Sequence, residues 1–319
     1  MTTFALSQQW VSKATMSEDL DVSVAGAAPI PAPTRDELQT VLDELSRSET
    51  VREMSRRKWI QPAATPLKNR VTERSDALLK FLVSQRTVAP AYTMFKGRRP
   101  SAKQTLLDDF ATRVWVSHLT QRAHECSMAT RFQPSSIDRH FLLSLAQLST
   151  RTDGPARALE AVREIGICVI LESSLPGMSV DGASFHVVEV PPVVALTARH
   201  DRLDNFWFTL FHELGHIALH LSDPSDDIFV DAEEESAGDE VEAEAEANAF
   251  AKDGLIPRDV WLRSDAYRSG SEASVMGLAR QLTIHPAIVA GRIRYERRDF
   301  RIFNNLIGRG QVREVIFGV

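Results

Sequence analysis

The chain has 319 residues, 43% of them hydrophobic and 25% charged, with a formal net charge of −6; it is long enough to bury a sizeable core and is neither fibrous nor disordered in composition. No apolar run reaches the roughly 18 residues that a membrane-spanning helix needs, and the N-terminus lacks the basic–apolar–small order of a signal peptide. The two cysteines, Cys126 and Cys168, stand far apart and read as neither a disulfide framework nor a metal site, so the expectation is a cytoplasmic protein with no membrane partner.

Charge is segregated along the chain. Residues 51–140 hold 17 Lys/Arg against 7 Asp/Glu, residues 222–246 hold 12 acids and no basic residue, and residues 255–319 hold 11 Arg against 6 acids. Basic stretches of this kind suit solvated helix faces, and also a surface facing DNA. Residues 1–34, with the Pro-rich stretch AGAAPIPAP (25–33), read as disordered or linker. Residues 35–150 read as an all-helical N-terminal region. Leu38, Val41, Leu42 and Leu45 fall at helical spacing, and further helices are expected near 70–84, 101–126 and 135–149.

After Asp153–Gly154 the pattern changes. A helix over 155–165 leads into three β-rich runs, 167–173, 184–190 and 193–199. Pro191 and Pro192 suggest a sheet edge beside the third run, open to an added peptide strand. Asp204–Asn205 reads as an N-cap for a helix continuing to about His220. Helices follow at 240–252, 257–263, 272–282 and 286–297, the last two resembling a helix-turn-helix around TIHP. The tail after Arg301 reads as short strand or loop.

The chemical signal is HELGH at 212–216. Positions four apart share one helix face, so His212 and His216 can bind one metal ion, with Glu213 placed to take a proton from water. The surrounding helix is apolar nearly all round, which predicts burial, and buried polar side chains need partners. A catalytic zinc wants a third protein ligand. In EVEAEAEANAFA (240–251), Glu240, Glu242, Glu244 and Glu246 compete. Glu244 shares a face with Ala247, while Glu246 points elsewhere; spacing leaves Glu244 as either a ligand or a solvated charge. Asn248 is placed to steady a ligand histidine, and His220, one turn beyond His216, is a candidate for a similar role. His186 and His200 flank the β-runs, and no oxyanion donor is assigned.

The stretches FWFTLFHELGHIALH (206–220), EAEANAFA (244–251), LIP (255–257) and LARQLTIHPAIVAGRIRYE (278–296) closely resemble the ImmA/IrrE family of zinc metallopeptidases. REMSRRKWI (52–60) and LLKFLVS (78–84) resemble, more weakly, the helical N-terminal part of longer members that begin with a repressor-type helix-turn-helix. The resemblance implies zinc held by His212, His216 and Glu244, with Glu213 as general base; manganese or another divalent ion would suit the same ligands. It implies an endopeptidase that cleaves a partner DNA-binding repressor, controlling stress, mobile-element or toxin–antitoxin genes. A DNA-binding regulator or antitoxin with the zinc domain as sensor or scaffold is the alternative. Two departures stand out: residues 1–50 hold no convincing helix-turn-helix, and Gly254 replaces an apolar residue, which predicts a loosened ligand helix. The expected fold class is α+β, with a zincin-like core over 151–262, a small sheet packed on the HExxH helix, and a helix-turn-helix-like element over 263–319.

Overall fold

The computed structural model describes residues 42–43, 45–60, 70–84, 92–97, 105–126, 129–186, 189–221 and 236–318. The linker at 1–34 and the acidic stretch 222–235 lie outside them. The chain forms two compact units, one drawn from residues up to 89 with 100–118 and 175–178, the other from 90–99, 119–174 and 179–319. The architecture is helix-rich with one small sheet, an α+β arrangement.

In the first unit, helix α1 (Glu49–Arg56) starts where the Ser48 hydroxyl accepts from the Val51 amide at 3.2 Å, and it buries Val51 and Met54, three positions apart on one face. Helix α2 (Arg70–Ser84) buries Leu78 and Phe81. The early turns of α3 (Thr105–His124) bury Ala111, Val114 and Trp115, and Trp59 stacks on His118 with ring centres 3.9 Å apart.

The second unit holds the sheet. Strands β1 (Tyr92–Gly97), β2 (Cys168–Leu171), β3 (Val180–His186) and β4 (Val193–Leu196) lie in the order β1-β3-β4-β2, with β2 and β4 parallel and the other pairs antiparallel. Strand β1 corrects the all-helical expectation for 35–150. Its sequence YTMFKG is rich in strand-favouring Tyr, Thr and Phe, and pairing with β3 fixes it. Strand β3 begins four residues before the expected run. Asp181 and Gly182 are poor strand formers, so only pairing reveals them as strand. The expected edge at β4 is also corrected: β3 and β2 flank it on both sides, so no peptide can add there. Pro191 and Pro192 precede the strand, a position where the missing N–H is harmless.

Helices α4 (Arg139–Gln147) and α5 (Gly154–Glu164) precede β2, and α6 (Leu203–Leu219) follows β4. Then come α7 (Ser236–Leu255), α8 (Arg258–Arg263), α9 (Asp265–Arg268), α10 (Glu272–Leu282), α11 (Pro286–Glu296) and α12 (Arg313–Phe317). Among the described residues no helix is long and apolar enough to cross a membrane. Helix α11 buries Ala287, Ile288, Val289, Ala290, Ile293 and Arg294 and packs on α6 and α10.

The start of α6 differs from the expected cap. The N-cap is Arg202, and the Asp204 carboxylate is engaged by the Arg202 guanidinium at 2.9 and 3.2 Å, so it does not cap. The first amides of the helix are instead met by backbone carbonyls of the C-terminal loop: Leu203 N donates to Gly308 O at 3.1 Å and Asp204 N to Ile307 O at 3.4 Å. Asp201 ties the same loop from its side chain, accepting from the amides of Val312 and Arg313 at 2.9 and 3.1 Å. Gly254 likewise departs from expectation. Helix α7 runs through it to Leu255, and a Cβ there would lie 2.9 Å from the Phe211 ring, so the glycine lets α7 close on α6.

Cys126, just beyond α3, and Cys168, at the start of β2, form a disulfide across 42 residues. This corrects the reading from sequence separation, because the fold returns the chain to the end of α3. Closing a loop of that length stabilises the fold by about 4 kcal/mol in the chain-entropy view. Denatured without reductant, the protein is expected to take up no thiol reagent, and after reduction two equivalents per chain. Two equivalents before reduction would show that the bond does not form.

Candidate metal centre

Helix α6 carries the HELGH motif inside a nearly all-apolar sequence. Trp207, Leu210, Phe211, Leu214 and Ile217 are fully buried, and so are His212, Glu213 and His216. Complete burial follows from the sheet on one side and α7 on the other. The contact with α7 is made by small residues. Ala243, Ala247 and Ala251 recur every fourth position and are buried. A Cβ on Gly215 would lie 3.2 Å from the Ala247 Cα and 3.1 Å from the Phe250 ring, so the glycine between the two histidines sets how near α7 comes.

That approach brings Glu244, one turn before Ala247, onto the histidines. His212 Nε2 and His216 Nε2 lie 3.0 Å apart. His216 Nε2 lies 3.2 Å from Glu244 Oε1, and His212 Nε2 lies 3.5 Å from Glu244 Oε2. Among the described residues this is the cluster of His, Cys, Asp and Glu that could hold an ion. The donor set fits one. Ligand atoms about 2.0–2.1 Å from a tetrahedral ion lie roughly 3.3 Å from each other, and the three separations bracket that value. Two imidazole nitrogens facing each other at this distance also share at most one proton, whereas a cation satisfies both. Burial works to raise the Glu244 carboxyl, but hydrogen bonds from His212 and His216 overcome it and hold it at about 2. The carboxylate is therefore ionised across the mild pH range, as a ligand must be.

Glu213 points to the sheet side. The Ser184 hydroxyl of β3 donates to Glu213 Oε2 at 2.8 Å. Gly182, also on β3, leaves room for the other oxygen: a Cβ there would lie 2.7 Å from Glu213 Oε1 and 2.7 Å from Thr209 Cγ2. Neither Ser184 nor Gly182 was singled out from sequence; their only signal was position in a strand whose start was itself hidden.

The other candidates fall differently. Glu246 is exposed and faces His220 at 3.6 Å, away from the histidine pair. His220 is the C-cap of α6, and burial with the neighbouring His216 lowers its pKa. Asn248 does not reach a histidine; its amide donates to the backbone carbonyl of Glu244 at 2.7 Å, within its own helix. His200 lies 3.9 Å from Asp181, and burial lowers the pKa of His200 and of His186.

A cleft of about 300 Å³ opens beside Glu244, between α6, α7 and α11. Asn205 and Phe208 line it from α6, Asn248 and Lys252 from α7, Arg292 and Tyr295 from α11. The rings of Phe208 and Tyr295 stack with centres 6.1 Å apart.

Residues 164–294 match the family model described as the IrrE N-terminal-like domain, Peptidase M78. The stretch runs from the last residue of α5 to Arg294 in α11 and takes in His212, Glu213, His216, Glu244 and Ser184. The chain therefore contains such a domain over residues 164–294, in keeping with the resemblance of its motifs. No curated protein and no solved structure matches the chain.

Two outcomes are expected. The purified protein takes up one divalent ion per chain; Glu244→Ala lowers its affinity at least tenfold and Glu246→Ala leaves it unchanged, read by equilibrium dialysis with metal analysis. Equal losses in both variants would remove Glu244 from the site. Gly182→Ala destabilises by about 1–3 kcal/mol in a denaturant titration through overpacking against Glu213, with metal stoichiometry retained. Unchanged stability would show that β3 does not confine that side chain.

Proposed function

We propose that this domain is a zinc-dependent endopeptidase. The observation that supports the reading best is a cluster of three candidate ligands, of which Glu244 lines an open cleft, next to a fully buried glutamate, Glu213, on the same helix as the histidines. Two imidazoles and one carboxylate are the donor set of a catalytic zinc with an open position; manganese suits it less well, and metal analysis of the purified protein decides between them. When bound, the ion supplies Lewis acidity, lowering the pKa of water and polarising a peptide carbonyl.

This chain's own residues do the remaining work. Glu213 accepts the proton of the attacking water at a carboxylate oxygen and later delivers it to the leaving nitrogen. Ser184, donating to Oε2, fixes the plane of that carboxylate. Burial of the helix face around it keeps bulk water from competing for the proton. The cleft along α6, α7 and α11 has room for an extended peptide.

The resemblance to the ImmA/IrrE family supports the choice of substrate: a partner regulatory protein, a DNA-binding repressor whose cleavage releases stress, mobile-element or toxin–antitoxin genes. That reading places the protein in the cytoplasm with its target. Glu213→Gln is expected to keep the metal and lose activity on a cleaved substrate by about 10²–10⁴-fold, measured as kcat/KM beside metal content. Retained activity with retained metal would remove Glu213 as the base.

A further inference from the structure

The cleft beside the metal cluster is lined by charges that are mostly spent. Asp181 is engaged by Arg199 at 3.0 Å and Asp204 by Arg202 at 2.9 Å. Arg292 bonds Glu296 at 3.0 Å and donates to the carbonyls of Lys252 and Ile256. Arg294 donates to Ile302 O and Asn304 Oδ1. Lys252 is the exception. It forms no ion pair among the described residues, and its ammonium lies over the Tyr295 ring, 4.7 Å from the centre. The nearby carboxylate that favours its charge, Glu296, is already taken by Arg292 and by Trp261 Nε1 at 3.1 Å. Burial lowers the pKa of this lysine, so holding its proton in the cleft is made easier by an incoming anion.

Its position is set by the helix. Glu244, Asn248 and Lys252 fall four residues apart on α7, and all three line the cleft. Eight residues at 1.5 Å each place Lys252 about 12 Å along the helix from the ligand Glu244. An extended peptide advances about 3.3 Å per residue, so this distance corresponds to roughly three or four residues from the bond held at the metal.

We propose that Lys252 is a specificity-determining residue that receives a carboxylate of the bound peptide, three or four residues from the scissile bond. The inference rests on the peptidase reading above. It names acidic substrate segments as preferred, with the face of Tyr295 holding the ammonium in place. A side-chain carboxylate and a free chain terminus share this chemistry.

The test uses blocked peptides that differ only in Asp against Asn, scanned at each of five positions on both sides of the scissile bond. Cleavage by the zinc-loaded full chain is read as kcat/KM. Binding is read as Kd on the zinc-loaded Glu213→Gln chain, with and without Lys252→Met and Lys252→Glu. At one position three or four residues out, Asp is expected to be favoured about tenfold. The preference disappears in Lys252→Met and reverses towards Asn in Lys252→Glu, where two carboxylates would face each other. A companion set ending in a free carboxylate at that position tells a side chain from a terminus. Cleavage with the same Asp/Asn ratio in all three proteins overturns the role of Lys252 and leaves the peptidase reading standing. Lys252-dependent binding of the Asp peptides without cleavage by the wild type does the reverse.

Discussion

The close approach of α6 to α7 is the constraint on which the centre depends. Two helices can present side chains to one small ion only if their backbones nearly touch, and ordinary side chains at the crossing forbid that. Gly215 on one helix and Ala247 on the other remove the obstruction, flanked by Ala243 and Ala251. Farther along, Gly254 gives the Phe211 ring its place. With the crossing fixed, the register of α7 follows, and so does which glutamate joins the cluster: Glu244 meets the histidines and Glu246 does not.

The second requirement is compensation for buried polarity. His212, Glu213 and His216 sit with no solvent exposure on a helix otherwise made of large apolar groups. Leaving such groups unsatisfied costs several kcal/mol in total. The structure divides the task by helix face. The histidines turn to Glu244 on α7, and Glu213 turns to Ser184 on β3. The sheet thus contributes more than a wall for the core, because it sets the orientation of the glutamate beside the histidine pair.

Much of this was legible in the sequence because it is local. The spacing of HELGH places two histidines on one helix face, and the apolar residues around them foretell burial. The helices α6, α7, α10 and α11 follow from periodicity and from Ser, Pro and Gly punctuation. What could not be read depends on pairing between distant segments. β1 has strand-favouring residues but lies in a helical neighbourhood, and the start of β3 is masked by Asp181 and Gly182. Ser184 is therefore invisible as a partner of Glu213 until β3 is laid against α6. Cys126 and Cys168 are brought together only by the return of β2 to the end of α3. The expected cap at Asp204 failed for a similar reason: Arg202 competes for the carboxylate, and a loop a hundred residues away takes over the amides.

That last substitution has a consequence for the order of synthesis. The amides that open α6 are completed by Ile307 and Gly308, and Asp201 is tied to Val312, 111 residues later. A nascent chain that has already exposed HELGH and Glu244 still lacks the carbonyls that finish the helix. From Glu244 to Gly308 is 64 residues, so at 5–20 residues per second that interval is on the order of 3–13 s. During it the first two amides of α6 lack the carbonyl partners that the folded chain gives them. The start of α6 is therefore completed by its backbone partners only once nearly all of the domain around it has been made.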